Sequence, residues 1–314
     1  MNKTILTLTV NPAVDRIVTV DRLVFEDRAY IETTSEAAGG RGINVSRVLN
    51  RFGAKTTAIT TSGREAGRKF EEQLQHDSFD KEIVKIRSSI RLNIAISDHQ
   101  GLSVKLNERG PKLSKMEQDR ISKAVERLLP TASWLMLCGS VPPGVDTRFY
   151  PRLIELANQH HVETLLDTDG ESLLHGLEAQ PTIVKPNQSE AERLLNTALI
   201  TRSQQIDAVQ RIKALGPKSV VLSLGSRGVI AATSSEGVLE VVPPQVHSLC
   251  PIGAGDAMSA AIVWALSNGE SFGDALRWGV AAGTASSKLP GVALANFEQT
   301  KEIYPHTQLT RIVL

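Results

Sequence analysis

WLMLC at residues 134–138, TRFYPRLIELANQH at 147–160 and ETLL at 163–166 decide the fold between them. The outer two pieces read as buried strands, the second ending at Asp167, and the middle piece as an amphipathic helix. Strand, helix, strand in so few residues is the signature of a parallel crossover. The same alternation extends in both directions. Upstream, 5–10 and 56–61 are strand-like, while 43–52 and 65–75 are helical. The first of those helices is opened by the glycines of AAGGRG and closed by Gly53. Ser114 and Glu117 form a capping box before a helix that carries Ile121, Val125, Leu128 and Leu129, and Pro130 stops it. Downstream come a strand at 182–184, helices at 189–195 and 203–215, a β-branched strand at 219–224 and a hairpin at 229–232 and 238–242. Helices at 257–267 and 272–287 are expected to close the chain. The expected class is α/β with a mostly parallel sheet.

Two segments break this rhythm. Residues 17–33 and 90–106 hold strand-like stretches with no helix between them, so they fit poorly inside a parallel sheet. They are read as one small antiparallel sheet, a lid, projecting from a main body made of 1–16, 34–89 and 107–314. Its free strand edges would be hidden if two copies paired, which predicts a homodimer through the lid.

Composition narrows the partners. Thirty-five Lys and Arg against 34 Asp and Glu leave a net charge of +1 in 314 residues, which argues against nucleic acid or an anionic membrane surface. Any bound anion must be held by a local pocket. Cys138 and Cys250 make no metal or disulfide pattern, and the seven histidines show no ligand spacing. No run approaches the length of a membrane span or a signal peptide, so a cytoplasmic protein is expected.

Three places carry chemistry. In Gly253-Ala-Gly-Asp256, glycines before a helix let backbone N–H groups converge on an anion, and the aspartate is either a helix-start carboxylate or a base aimed at a hydroxyl. In Ala38-Gly-Gly-Arg-Gly-Ile-Asn44, a Gly-rich turn is either a tight connection or a close approach to a ligand, with the Asn44 amide free to pair with hydroxyls. This turn is neither a Walker A loop nor a dinucleotide fingerprint. Lys185, Asn187 and Glu190 stand after a strand at the edge where open α/β sheets bind ligands. Asn187 and Glu190 can hold a hydrated Mg²⁺ through water, cap a helix together, or do both.

Taken in order, TLTVNPAVDR (7–16), GGRGINVSRVL (39–49), LNERGP (106–111), CGSVPPGV (138–145), LLDTDGESL (165–173), VKPNQSE (184–190), VVLSLGSRG (220–228) and IGAGDAM (252–258) resemble the PfkB/ribokinase family of carbohydrate kinases, and within it the sugar-phosphate branch. The resemblance implies a three-layer α/β/α ribokinase-like domain and phosphoryl transfer from ATP, with Mg²⁺, to a ketohexose phosphate. Fructose 1-phosphate is the leading substrate, with tagatose 6-phosphate and fructose 6-phosphate as rivals. A non-catalytic sugar-phosphate sensor is the alternative from another class.

On the family pattern Asp256 is the base, and Gly253, Ala254 and Gly255 supply its anion hole. Asp15, Gly39, Gly40 and Asn44 lie at the sugar hydroxyls, with Arg41 beside them reaching for substrate. Arg91, with Arg28 and Lys105, would grip the phosphate already on the sugar. Lys185, Asn187 and Glu190 match the nucleotide-phosphate and Mg²⁺ region. Ser223, Gly225 and Gly228 match the ATP-side loop, and Ala282, Gly283 and Ser286 the adenine wall. Three departures stand out: Arg41 where many members carry Lys, Tyr30 where the fructose 1-phosphate branch often has Arg, and Pro251 in place of a small hydroxyl residue.

Overall fold

The computed structural model of the chain describes residues 3–24, 26–100 and 102–313. From β1 (Thr4–Thr9) the chain runs into a hairpin, β2 (Ala13–Val20) and β3 (Ile31–Gly39). It then passes through α1 (Arg41–Arg51), β4 (Thr56–Ser62), α2 (Arg64–Leu74) and β5 (Asp80–Lys85). A second hairpin follows, β6 (Arg91–Asp98) and β7 (Ser103–Asn107). Beyond it come α3 (Lys115–Leu128), β8 (Ala132–Cys138), α4 (Phe149–Gln159), β9 (Glu163–Asp167), α5 (Gly170–Glu178) and β10 (Ile183–Val184). Next are α6 (Gln188–Leu195), α7 (Arg202–Ala214), β11 (Ser219–Ser223), β12 (Val229–Thr233) and β13 (Gly237–Val242). The last elements are α8 (Ala254–Ser267), α9 (Phe272–Ser287), α10 (Phe297–Ile303) and β14 (Gln308–Ile312).

Among the described residues the large sheet has the order β14-β13-β12-β11-β10-β9-β8-β1-β4-β5. It is parallel from β11 to β5 and antiparallel from β11 out to β14. Pleating divides its side chains between two cores. Leu135 and Leu137 of β8 face the helices from α2 to α7, while Trp134, Met136 and Cys138 face α1, α8 and α9. Each fully buried leucine contributes about 1.5–3 kcal/mol, which holds both helical layers to the sheet. This is the mostly parallel α/β class the alternation predicts, in the three layers the resemblance implies. The chain does not close at α9, however. The seven residues of α10 and the five of edge strand β14 are too short to carry a periodic signal.

The small sheet has the order β3-β2-β6-β7. Both hairpins are antiparallel, as expected, but the central pair β2 and β6 is parallel. The reason lies in the main body: each hairpin leaves it after one of the parallel strands β1 and β5, so the two first strands set out in the same direction. The intervening α1-β4-α2-β5 segment supplies the crossover that parallel pairing requires. The sheet also reaches further along the chain than 17–33 and 90–106. It begins at Ala13, returns only at Gly39, and so carries Asp15 within its central strand.

Candidate active site

The site gathers at the C-terminal ends of the parallel strands, the edge where open α/β sheets take ligands. Gly253 precedes α8 with φ of 79°, a left-handed conformation that glycine adopts freely. A Cβ there would also lie 2.6 Å from Leu294. The turn leaves α8 without a side-chain cap. Among the described residues the amides of Gly253 and Gly255 take no hydrogen-bond partner, while that of Ala254 donates to the Pro251 carbonyl at 3.3 Å. The free amides and the helix N-terminus favour an anion. Asp256 stands on this first turn, and the Asn44 amide, from the first turn of α1, donates to its Oδ2 at 2.8 Å. Two helix starts therefore converge on one carboxylate.

Behind it lies a charge network. Asp167, the last residue of β9, is buried and receives Lys185 Nζ at 2.9 Å, Arg41 Nη1 at 2.9 Å and the Ser259 hydroxyl at 3.0 Å. Burial would raise its pKa, but the Lys185 and Arg41 charges prevail and hold it below the usual carboxylate range. Arg41 is held firmly protonated, chiefly by Asp167, and its other amino group lies 3.4 Å from Glu190 and 3.9 Å from Asp169. Asp256 experiences the reverse balance. Burial, then the Asp167 charge, pushes it up to about 6, against the opposing pull of Asn44, Arg41 and Lys185. A carboxylate poised there, only partly buried, can accept a proton near neutral pH.

Asn187 caps α6. Its Oδ1 accepts from the Glu190 amide at 2.9 Å, and Glu190 Oε2 accepts from the Asn187 amide at 2.8 Å. With its other oxygen turned to Arg41, Glu190 has little left for direct coordination. No cluster of three or more acidic, His or Cys residues suited to a metal occurs among the described residues. The pair thus fits a hydrated Mg²⁺ held through water and does not fit a bare ion.

On the small sheet, Asp15 of β2 lies opposite Asn93 of β6, whose Nδ2 donates to Asp15 Oδ1 at 2.8 Å. Gly39 makes this possible: a Cβ there would sit 2.0 Å from Asp15 Oδ2. Burial raises the Asp15 pKa, and Asn93, Arg91 and Arg47 restrain it. Burial likewise lowers that of Arg91, whose Nη1 donates to the Glu108 carbonyl at 3.1 Å. At the first turn of α8 a cavity of about 1000 Å³ runs past Ser223, Gly225, Gly228, Ala254, Gly255 and Gly283.

A cavity large enough for a nucleotide thus reaches the first turn of α8, on which Asp256 stands beside Asn44. The model of the pfkB family carbohydrate kinases matches residues 8–298. The chain belongs to the pfkB family of carbohydrate kinases. A 1-phosphofructokinase of Borreliella burgdorferi is 31% identical over 301 residues, 95% of this chain and 96% of that one. A tagatose-6-phosphate kinase of Staphylococcus epidermidis is 28% identical over 310 residues, 98% of this chain and all of that one. Phosphofructokinase-2 of Escherichia coli, solved with potassium, superposes with a TM-score of 0.91 at 30% identity, covering 96% of this chain and 98% of that one. The same enzyme is solved with fructose-6-phosphate and as an inhibited tetramer. The pfkB chain described here is therefore a phosphotransferase with a hydroxyl acceptor.

Not every residue expected at the site of this pfkB kinase is brought there. Arg41 is committed to carboxylates instead of standing free for the sugar. Arg28, in the connection between β2 and β3, and Lys105 of β7 are exposed, and among the described residues neither forms an ion pair. Ser286 faces inward, fully buried, and accepts from the Ala295 amide at 3.0 Å. Ala282 is likewise buried in the core. Helical rotation explains both: Val280, Gly283, Thr284 and Ser287 form the α9 stripe that lines the cavity. Sequence reading also missed Asp167, Asn93 and the 243–246 segment that lines the cavity. The LLDTDGESL match contained Asp167, and a lone acidic residue at a strand end beside Lys185 was the available signal.

No helix among the described residues is long and apolar enough to cross a membrane.

Proposed function

We propose that this kinase moves the terminal phosphoryl group of ATP onto the free primary hydroxyl of a ketohexose phosphate, with fructose 1-phosphate going to fructose 1,6-bisphosphate as the preferred reaction. The observation that carries this reading is Asp256, held by Asn44 at 2.8 Å on the helix start whose Ala254 and Gly255 line the large cavity. Asp15, Gly39, Gly40 and Asn44 bind and orient the sugar. Arg91, with Arg28 and Lys105 moving in from the small sheet, takes the phosphate the sugar already carries. The donor phosphates lie along Ser223, Gly225 and Gly228 toward the free amides of Gly253 and Gly255.

Asp256 takes the hydroxyl proton as the sugar oxygen bonds to the terminal phosphorus. The bond to the bridging oxygen breaks, and ADP leaves with the electron pair. Those amides stabilise the charge on the migrating group, and little covalent work is left to the protein. Asn187 and Glu190 would hold Mg²⁺ through water, and the ion would neutralise the donor phosphates. Relatives named for fructose 1-phosphate and for tagatose 6-phosphate chemistry cover nearly the whole chain, so the sugar is the point to test.

The small sheet is proposed to cover the sugar and to pair with a second copy. Tyr30, Ile31 and Leu106 are 66%, 65% and 53% exposed on its edge strands or beside them, a surface that pairing would bury. A coupled assay across fructose 1-phosphate, fructose 6-phosphate and tagatose 6-phosphate decides the substrate; light scattering at micromolar concentration decides the dimer. No turnover with any of the three sugars would defeat the functional reading, and a monomer would defeat the pairing.

A further inference from the structure

The register of the small sheet places two polar side chains of β6 on the face of Asp15. Arg91 pairs with Ala13, and Asn93 with Asp15 itself. Two residues apart on one strand, they are separated by about 6.6 Å and point the same way. Asn93 spends its Nδ2 on Asp15. That donation fixes the orientation of the amide, because a carboxylate accepts and cannot donate. Its Oδ1 is then buried, and among the described residues it has no partner; the same holds for Nε of Arg91.

Thr9 and Asn11 also carry a partnerless oxygen, but glycines explain theirs. A Cβ on Gly42 would lie 2.5 Å from Thr9 Oγ1, and one on Gly110 would lie 2.1 Å from Asn11 Oδ1. Backbone is packed directly over those two atoms. Over Asn93 Oδ1 no glycine closes in this way, and Asn93 keeps partial exposure beside Asp15. An unmet buried acceptor is costly, and a donor arriving with the ligand removes that cost.

We propose that Asn93 is a further recognition residue for the phosphosugar: its N–H aims the Asp15 carboxylate, and its carbonyl oxygen accepts a hydrogen bond from a sugar hydroxyl. The inference rests on the phosphosugar reading above and deepens it. Asp15 and Asn93 then grip neighbouring hydroxyls, while Arg91, one pleat away, meets the phosphate. The spacing along β6 thus selects a ligand with an anionic group and a hydrogen-bond-donating hydroxyl about two strand residues apart.

The test is a cycle between protein and substrate. Asn93→Ala should raise the KM for the preferred phosphosugar about tenfold, one hydrogen bond's worth, with kcat and the KM for ATP within about twofold. Deoxy analogues lacking the C3 or the C4 hydroxyl are then compared on both proteins. For one of them the penalty of the substitution should vanish, because the oxygen's partner is already gone. A merely structural role would give the same penalty with every analogue, and that result, or an unchanged KM, overturns the proposal. Should Asn93→Ala not fold, Asn93→Ser is read by the same cycle, its hydroxyl replacing the amide. Wild-type protein that phosphorylates no phosphoketohexose would instead overturn the functional reading, and this inference with it.

Discussion

The two halves of the site are built on opposite principles. Around β9 every charge is matched: Asp167 has Lys185, Arg41 and Ser259, and Arg41 has Glu190 as well. Around β2 and β6 the pairing is incomplete, with Asp15 answered by a single amide while Arg91 Nε and Asn93 Oδ1 have no partner among the described residues. The matched half sits on the rigid sheet and holds the base at a set pKa, which is the preorganisation that phosphoryl transfer needs. The unmatched half sits on a small sheet joined to the body by chain excursions, and it waits for a ligand to complete it.

Removing the element the two halves share should have the largest effect. Asp256→Asn is expected to lower kcat by about 10²–10⁴-fold, the usual worth of a general base, with phosphosugar affinity within about twofold by calorimetry. Unchanged turnover would remove the basis for contrasting the halves. The matched half predicts intolerance to loss of one partner. Asp167→Asn should destabilise the fold by about 3–5 kcal/mol in urea, because the buried Lys185 loses its counter-charge and Arg41 loses the nearer of its carboxylates. The surviving activity carries a second signature. Wild-type kcat should fall as pH drops through about 6, where Asp256 takes up its proton. Removing the Asp167 charge takes away a cause of that raised pKa, so the acid limb should move to lower pH; a move upward would contradict the charge network.

The unmatched half predicts defects confined to the sugar. Gly39→Ala drives a Cβ into Asp15, so the KM for phosphosugar should rise at least about tenfold while that for ATP stays put. Equal effects on both substrates would erase the division. The smallest effect is expected of Ser286→Ala, which deprives the Ala295 amide of its acceptor. It should cost about 1–3 kcal/mol of stability and leave the KM for ATP unchanged, because the side chain faces away from the cavity.

The parts legible in advance were those written into contiguous residues. Gly253 through Asp256 and Gly39 through Asn44 announce themselves as glycine turns entering helices, and both turns meet at Asp256 in the folded chain. Asn187 and Glu190 were legible as a capping box, and the box is formed. What escaped was orientation. Ser286 belongs to the correct helix and lies on the wrong face of it, because one residue turns a side chain by about 100°. Arg41 was expected to reach for substrate because nothing in one dimension shows that Asp167 and Glu190 lie on either side of it.

Local rules acting over a turn or two of chain were enough for the alternation of strands and helices, the glycine turns and the capping boxes: periodicity, capping and backbone freedom are properties of neighbours. The parallel pairing of β2 with β6, the partners of Arg41 and the meeting of Asn93 with Asp15 came only with the tertiary structure. Each joins residues tens of positions apart through a register or a low-dielectric pocket, and those forces act only once the chain has closed on itself.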